Sequence, residues 1–240
     1  MKTIRKNILI AALLAVVAGA GASVVHAQIP PTADDIVHYK GLFRSVFSND
    51  VATIESLMER TKSSGGLKPD AYRDFYERTP LLVAAHVKAR GAMRLLAKAG
   101  ADVNALEKDR YDIVTIAAVA NDVETLKVAL EIGCKATNIT SPYQGTALIA
   151  AAHLGHVEVV RTLIAAGAPL DHVNNLKWTA LIEAITLGDG GTRHTAVVQA
   201  LLDAGAYVNL PDGQGRTPLA LAKGRGYDAM VKLLEAKGAK

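Results

Sequence analysis

The side chains best suited to chemistry lie in a short, glycine-rich stretch of the chain. Asp189, Arg193 and His194 fall within six residues of one another, and Glu183 precedes them. Carboxylate, guanidinium and imidazole groups together can bind a small polar ligand, and glycine main chain can cradle an anion. A carboxylate beside an imidazole can also act as acid and base in hydrolysis, which is the least favoured of these functions. These four residues form one candidate ligand pocket.

Elsewhere the sequence lacks the patterns that identify enzymes and metal sites. It contains no Walker phosphate-binding loop, no Gly-x-Ser-x-Gly and no His-Glu-x-x-His. His153 and His156 are three residues apart, but they flank Gly155 at a predicted helix end, which disfavours a metal site between them. The sequence therefore predicts no enzyme, no metal and no cofactor.

Cys134 is the only cysteine of the chain, so no disulfide can form within it. It follows a glycine at a predicted tight turn, where a small buried residue is expected. The alternative is an intermolecular disulfide in an oxidising compartment.

The first 27 residues differ in kind from the rest. A basic start with Lys2, Arg5 and Lys6 leads into an apolar run over residues 8–18, and Val25-His26-Ala27 has the small residues of a cleavage site. This pattern predicts a secretory signal peptide over residues 1–27, removed after Ala27, and a periplasmic or secreted protein. An uncleaved membrane anchor is the alternative, because the apolar and small residues approach spanning length.

Without the predicted signal peptide (the leader), the net charge of the chain is close to zero. The sequence has 27 Lys and Arg against 23 Asp and Glu, and the leader holds three of the basic residues and none of the acidic ones, leaving 24 against 23. A near-neutral exported chain does not favour nucleic acid as a partner. We expect no nucleic-acid partner, no membrane association after cleavage, and a monomer.

A unit of about 33 residues recurs along the rest of the chain. Residues 145–168 show its regular form: two short apolar-faced helices joined at Leu154-Gly155 and closed by Gly167. Neither helix can bury its apolar face alone, so successive units must stack. Four units begin with related triplets, at Thr79-Pro80-Leu81, Thr146-Ala147-Leu148, Thr179-Ala180-Leu181 and Thr217-Pro218-Leu219. Units end at Gly100, Gly133, Gly167, Gly205 and Gly238, which are 33, 34, 38 and 33 residues apart.

These starts, ends and spacings resemble the ankyrin repeat. The resemblance implies an all-α ankyrin-repeat solenoid of about six helix-turn-helix units with short β-hairpin connections, forming a single domain over residues 28–240. The units are expected roughly at 34–73, 74–106, 107–139, 140–173, 174–211 and 212–240. It also implies a non-enzymatic scaffold that binds a protein partner, whose identity the sequence does not give.

The fifth unit departs most from this period. A five-residue insertion, 189–193, accounts for its spacing of 38, and the segment Gly-Asp-Gly-Gly-x-Arg-His is similar to one in a subset of exported bacterial ankyrin-repeat proteins. Glu183 stands where the other units have an apolar residue and needs a partner, for which Arg193 or His194 is expected. An ion pair from Glu183 to Arg193 would pin the insertion structurally, and a small polar pocket is the functional alternative.

Two local departures concern the first units. A helical pattern runs from Asp34, with Val37, Leu42, Val46 and Phe47 on its apolar side. In the second unit, Lys88 aligns with the glycine or asparagine of the interhelix turn, and the sequence predicts that the turn moves to Gly91, because lysine disfavours a left-handed backbone.

Aromatic residues precede the unit starts, where this family presents hairpin tips to partners. Five of the eleven aromatics lie there, at Phe75, Tyr76, Tyr111, Tyr143 and Trp178. Large aromatic side chains on an exposed edge often anchor interfaces. We predict partner binding through Tyr76, Tyr111, Tyr143, Trp178 and Arg216, with the alternative that each ring covers the adjacent helix.

Overall fold

The computed structural model describes residues 30–240, so the predicted signal peptide lies outside the described residues. Within this range the chain forms thirteen α-helices and two 3-10 turns, Lys62–Ser64 and Pro69–Ala71. The helices are α1 Ala33–His38, α2 Leu42–Phe47, α3 Val51–Thr61, α4 Pro80–His86, α5 Arg90–Lys98, α6 Ile113–Val119, α7 Val123–Glu131, α8 Ala147–Leu154, α9 Val157–Ala165, α10 Ala180–Thr186, α11 Thr192–Asp203, α12 Pro218–Arg225 and α13 Asp228–Ala236.

The first helix of each regular unit begins at a side-chain cap. The hydroxyl oxygens of Thr79, Thr146, Thr179 and Thr217 each accept a hydrogen bond from the main-chain N–H three residues later. Asp112 caps α6 in the same way, through the N–H of Thr115. Because these caps satisfy otherwise unpaired N–H groups, they explain why the unit starts could be read from the sequence.

The helices stack in two parallel rows. Helices α2, α4, α6, α8, α10 and α12 pack side by side as the inner row, and α3, α5, α7, α9, α11 and α13 as the outer row. A continuous core of Ala, Val, Leu and Ile runs between the rows, with Leu81, Leu148 and Leu181 almost wholly removed from solvent. The predicted solenoid of stacked helix-turn-helix units is confirmed.

The connections between units are tight turns without flanking β-strands. In the described residues the single β-type pairing is an antiparallel bridge between Thr140 and Gly145. The hairpin connections are thus reduced to their tips, which the structure places at residues 74–78, 107–111, 140–145, 174–178 and 212–216. They are called the first to fifth tips below.

Two sequence expectations for the first units are wrong. The pattern from Asp34 breaks into α1 and α2 at Gly41, whose φ is +54°, and Val37 is 76% exposed. The other predicted apolar residues, Leu42, Val46 and Phe47, do pack against the core. The turn between α4 and α5 is not displaced to Gly91, because Lys88 itself adopts the left-handed conformation with φ +59°. The Nζ atom of Lys88 lies 3.4 Å from a carboxylate oxygen of Asp122, an ion pair that offsets part of the backbone cost.

Candidate functional site

The first, fourth and fifth tips are built by the same local hydrogen bonds. Each starts at Asp74, Asn174 or Asp212, whose side-chain oxygen accepts the N–H groups of the residues two and four places later. The fourth residue of each of these tips has a positive φ. Asp and Asn favour such turns because their short side chains reach the following main chain. The turn therefore fixes which tip residues face outward.

In the second and fourth tips the last residue folds under the turn and packs into the stack. Tyr111 ends the second tip and is 6% exposed, and Trp178 ends the fourth tip and is 8% exposed. The prediction that these two rings are exposed partner anchors is therefore wrong. Their position in the turn directs them toward the adjacent helices, as the alternative interpretation held.

The other predicted partner-binding residues are accessible. Tyr76 and Tyr143 are half-buried, and neither is the last residue of its tip. Arg216 has a 53% exposed side chain whose Nε atom donates to Asp212 at 2.8 Å. The structure thus leaves Tyr76, Tyr143 and Arg216 at the surface of three different tips.

Glu183 does not pair with Arg193 or His194 as predicted. Its side chain is buried, and its two oxygens lie 3.2 Å from Nδ1 of His153 and 3.1 Å from Nδ2 of Asn174, which donates to it. His153 lies on the inner helix α8 and Asn174 lies in the fourth tip. Arg193, in contrast, is exposed at the start of α11. A buried carboxylate needs such hydrogen-bond partners, and here they lie in the fourth and fifth units.

His194 is locked by two contacts. Its Nδ1 atom lies 2.8 Å from Oδ1 of Asp189, and its Nε2 atom lies 2.9 Å from the carbonyl oxygen of His153. The residue is 5% exposed, so both ring nitrogens are already engaged inside the protein. A general acid or base must reach the proton that it transfers, and this imidazole has no nitrogen left to do so.

The glycines of the insertion are required by packing. A Cβ atom on Gly188 would lie 2.1 Å from the carbonyl oxygen of Ala184, and one on Gly190 would lie 2.4 Å from the ring of Tyr227. Gly190 also has a φ of +69°. The Tyr227 hydroxyl donates to the carbonyl oxygen of Gly188 at 3.0 Å and holds the insertion against the sixth unit.

The carboxylate of Asp189 occupies the main-chain turn in which an anionic ligand was expected. The carboxylate of Asp189 accepts the N–H of Gly191 at 2.9 Å, and this bond, together with His194, lowers the pKa of Asp189. The structure therefore brings Asp189 and His194 together, links Glu183 to them only through His153, and leaves Arg193 outside these contacts. The four residues do not line one shared pocket.

A second buried histidine–glutamate pair was not predicted. Nε2 of His86 lies 3.1 Å from Oε2 of Glu107, and both side chains are 5% exposed. His86 and His153 each stand seven residues after the capping threonine of their unit, and each contacts a glutamate of the next unit. That shared spacing was the available signal for a contact between units.

The thiol of Cys134 points into the protein. Its Sγ atom donates to the carbonyl oxygen of Val103 at 3.1 Å, and burial raises its pKa to about 12. A buried thiol of high pKa is poorly reactive, which favours the interpretation of Cys134 as a small packed residue.

An open groove of about 810 Å³ lies beside the first tip and was also not predicted. It runs between α1 and the first tip, and much of its lining is aromatic. The aromatic lining consists of Tyr39, Phe43, Tyr72, Phe75 and Tyr76. Tyr72 and Phe75 are 74% and 77% exposed, which is unusual for rings of this size.

Residues 30–240 contain neither a metal-binding cluster nor a membrane-spanning helix. No group of three or more His, Cys, Asp or Glu side chains in this range is placed to hold a metal ion. Over the same residues, no helix has the length and apolar character needed to cross a bilayer.

Comparison with known proteins identifies the repeated unit. The family model described as "Ankyrin repeats (3 copies)" matches residues 114–212, and the model described as "Ankyrin repeat" matches residues 76–108. The ankyrin repeat protein YahD of Escherichia coli (strain K12) is 33% identical over 163 residues, which cover 68% of this chain and 81% of YahD.

Two solved structures show the same architecture. An ankyrin repeat domain from Acinetobacter baumannii AYE is 42% identical with a TM-score of 0.75, over 83% of this chain and 98% of that one. The ankyrin repeat domain of Bcl-3, a member of the IkappaB protein family, is 26% identical with a TM-score of 0.73, over 84% and 87% of the respective chains.

Proposed function

This chain belongs to the ankyrin-repeat family, and we propose that it is a non-enzymatic scaffold that binds a protein partner outside the cytoplasm of a bacterium. Ankyrin repeats generally mediate protein–protein interaction. The observation that carries the proposal for this chain is the accessible surface of Tyr76, Tyr143 and Arg216 on the first, third and fifth tips. Accessible aromatic and arginine side chains on a rigid support are favourable interface anchors, because little conformational entropy is lost on binding.

The tips form a connected surface, which suits a single extended interface. The N–H groups of Lys108, Ser141 and Asn175 each donate at 3.0 Å to a carbonyl oxygen of the preceding tip. The first four tips are therefore held in fixed relation to one another. The chain is proposed to act as a monomer and to bind no nucleic acid, consistent with its near-neutral charge without the leader.

The polar cluster of the fifth unit has a structural part in this proposal. Its donors and acceptors bond mainly to one another, so ligand binding or hydrolysis there would first have to break those contacts. The cluster instead joins the fourth and fifth units and holds the insertion in place.

Capture of the partner tests the proposed surface. Purified residues 28–240 serve as bait in a periplasmic extract of the source organism. We expect Tyr76→Ala with Tyr143→Ala to reduce captured partner at least tenfold, whereas Tyr207→Ala leaves it unchanged. Tyr207 is the matched control because it is a 57% exposed aromatic outside the tips. Equal capture by all variants would show that the partner does not use the tips.

Export is a separate part of the proposal and has its own test. The full chain carries the leader described above, and the mature protein is expected in the periplasm or the medium, beginning at Gln28. Mass spectrometry of the N-terminal peptide from fractionated cells checks this. An intact leader in the membrane fraction would support the anchor alternative instead.

A further inference from the structure

The main-chain bonds between tips follow one rule over three successive tips. In the second, third and fourth tips the second residue donates its N–H to a carbonyl oxygen of the tip before it. The donors are Lys108, Ser141 and Asn175, and the acceptors are Tyr76, Arg110 and Tyr143. Each tip thus presents an edge on which a preceding piece of main chain rests, much as a strand adds to a sheet edge.

The first tip presents the same edge without a preceding tip. Phe75 is its second residue, and in the described part of the chain no oxygen accepts the N–H of Phe75. The first unit has α1 in place of a tip, and the groove lies between α1 and residues 72–76. The position that a carbonyl oxygen fills in the next three units is therefore open at the groove.

The walls of the groove are aromatic and closely packed. The rings of Tyr39 and Phe43 stack with their centroids 5.1 Å apart, and those of Phe75 and Tyr76 meet edge to face at 5.3 Å. Tyr72, like Phe75, adds an exposed ring at the rim. Such walls favour a bulky apolar side chain over a charged one.

A buried polar network holds the two sides of the groove together. Arg78 is fully buried, and its guanidinium lies 2.7 Å from Asp74 and 3.0 Å from Asp35 of α1. The Tyr39 hydroxyl donates to Asp74 at 2.8 Å. This network ties α1 to the first tip, so the groove is preformed and a ligand need not order it.

We propose that this groove binds an extended peptide segment of a protein partner. A main-chain carbonyl of the segment accepts the N–H of Phe75, and a neighbouring bulky apolar side chain lies among Tyr39, Tyr72 and Phe75. Lys40 and Arg73 on the lining oppose Asp34 in charge, and Asp35 and Asp74 are paired with Arg78. Apolar contact and the main-chain bond, more than net charge, therefore provide the recognition. The inference rests on the proposed scaffold function and adds the chemistry of one element that it recognises.

Selection from a phage-displayed library of random dodecapeptides tests the groove. The bait is residues 28–240, and enriched sequences are synthesised for affinity measurement. We expect enriched peptides with a bulky apolar residue, whose affinity falls at least tenfold with Phe75→Ala or Tyr72→Ala and is unchanged with Tyr207→Ala. Both test side chains are mostly exposed, so these variants should keep the parent melting temperature.

Amide hydrogen exchange checks the main-chain bond itself. Binding of an enriched peptide is expected to slow exchange at the Phe75 amide at least tenfold. The groove proposal is overturned if no sequence is enriched, if affinity survives Phe75→Ala, or if exchange at Phe75 does not change. If one of these results is obtained while Tyr76→Ala with Tyr143→Ala still reduces partner capture, the scaffold function is supported and only the groove proposal is rejected.

Discussion

Arg78 and Arg216 end their tips in the same way but meet different surroundings. Each pairs with the aspartate that starts its own tip, Asp74 or Asp212. Arg78 is fully buried because α1 covers the first tip, whereas the Arg216 side chain is 53% exposed. The position of a residue in its tip therefore sets the direction of its side chain. The element packed against the tip determines how exposed that side chain is to solvent.

Asp122 is a buried carboxylate with several hydrogen-bond donors around it. It caps α7 through Thr125 and accepts two hydrogen bonds from Arg90, at 2.8 and 3.1 Å. Burial alone would raise its pKa, but the bonds from Thr125 and Arg90 and the charge of Lys88 outweigh burial and lower the pKa to about 2. The ionised carboxylate therefore joins the second unit to the third.

Replacing Asp122 should destabilise the protein in a pH-dependent way. Asp122→Ala is expected to lower the free energy of unfolding by about 2 kcal/mol near neutral pH, through loss of the cap and of the ion pair. Because the folded pKa lies below the unfolded value of about 3.9, this contribution is present above that value and lost as pH falls through about 2.

Urea denaturation of both proteins from about pH 6 to about pH 2.5 measures the difference. Glu124→Gln is the control, since Glu124 is an exposed member of a surface pair in the same helix. A difference between parent and Asp122→Ala that stays constant over this pH range would contradict the account of Asp122.

The buried thiol of Cys134 should resist modification in the native state. Its pKa of about 12 and its bond to the carbonyl oxygen of Val103 leave little thiolate near neutral pH. An Ellman reagent assay at mildly alkaline pH should show slow reaction in buffer and complete reaction in guanidinium chloride. Ile139→Cys in a Cys134→Ala background is the exposed control, because Ile139 is 52% exposed. Equally fast labelling of both cysteines would mean that Cys134 is accessible.

At the element scale, the insertion is an ordered link between the fifth and sixth units. It is held by Asp189 and His194 on one side and by Tyr227 on the other. The other five units place a single left-handed residue at the interhelix turn, whereas the fifth unit uses this longer loop. These residues are Asn49, Lys88, Asn121, Gly155 and Gly226. The last two residues of the insertion, Thr192 and Arg193, are helical, so α11 is twelve residues long.

Adding one methyl group at Gly190 should loosen this link. Gly190→Ala places a Cβ atom on the ring of Tyr227 at a positive φ, and we expect a loss of about 1–3 kcal/mol of unfolding free energy. Gly224→Ala is the matched control within α12, where nothing lies within 4 Å of the added atom, and should stabilise by about 0.5–1 kcal/mol. Thermal denaturation compares the two, and similar changes for both would refute the packing role of Gly190.

The elements could be predicted because their signals are local. The capping threonines and Asp112 act within three residues of the helices they start, so their sequence spacing carries the repeat. The position of the insertion followed from the same spacing. The burial of Tyr111 and Trp178 could not be judged without the tip register, because a shift of one or two residues in the turn reverses the direction of a side chain.

At the scale of the whole molecule, the unpredicted features depend on distant contacts. Glu183 pairs with His153, thirty residues away, and Arg78 pairs with Asp35, forty-three residues away. The groove exists because α1 replaces a tip in the first unit, which no single unit reveals. The stacked units form the solenoid of the family, and the features specific to this chain lie on its tips and at its first unit.

Photocrosslinking in cells of the source organism tests the central claim, that a protein partner binds across the tips. Benzoylphenylalanine replaces Tyr76, Tyr143 or, as a control, Arg161, which is exposed on the outer helix α9. The account predicts that positions 76 and 143 crosslink to the same protein and that position 161 does not. Adducts at position 161 alone, or equal adducts at all three positions, would contradict it.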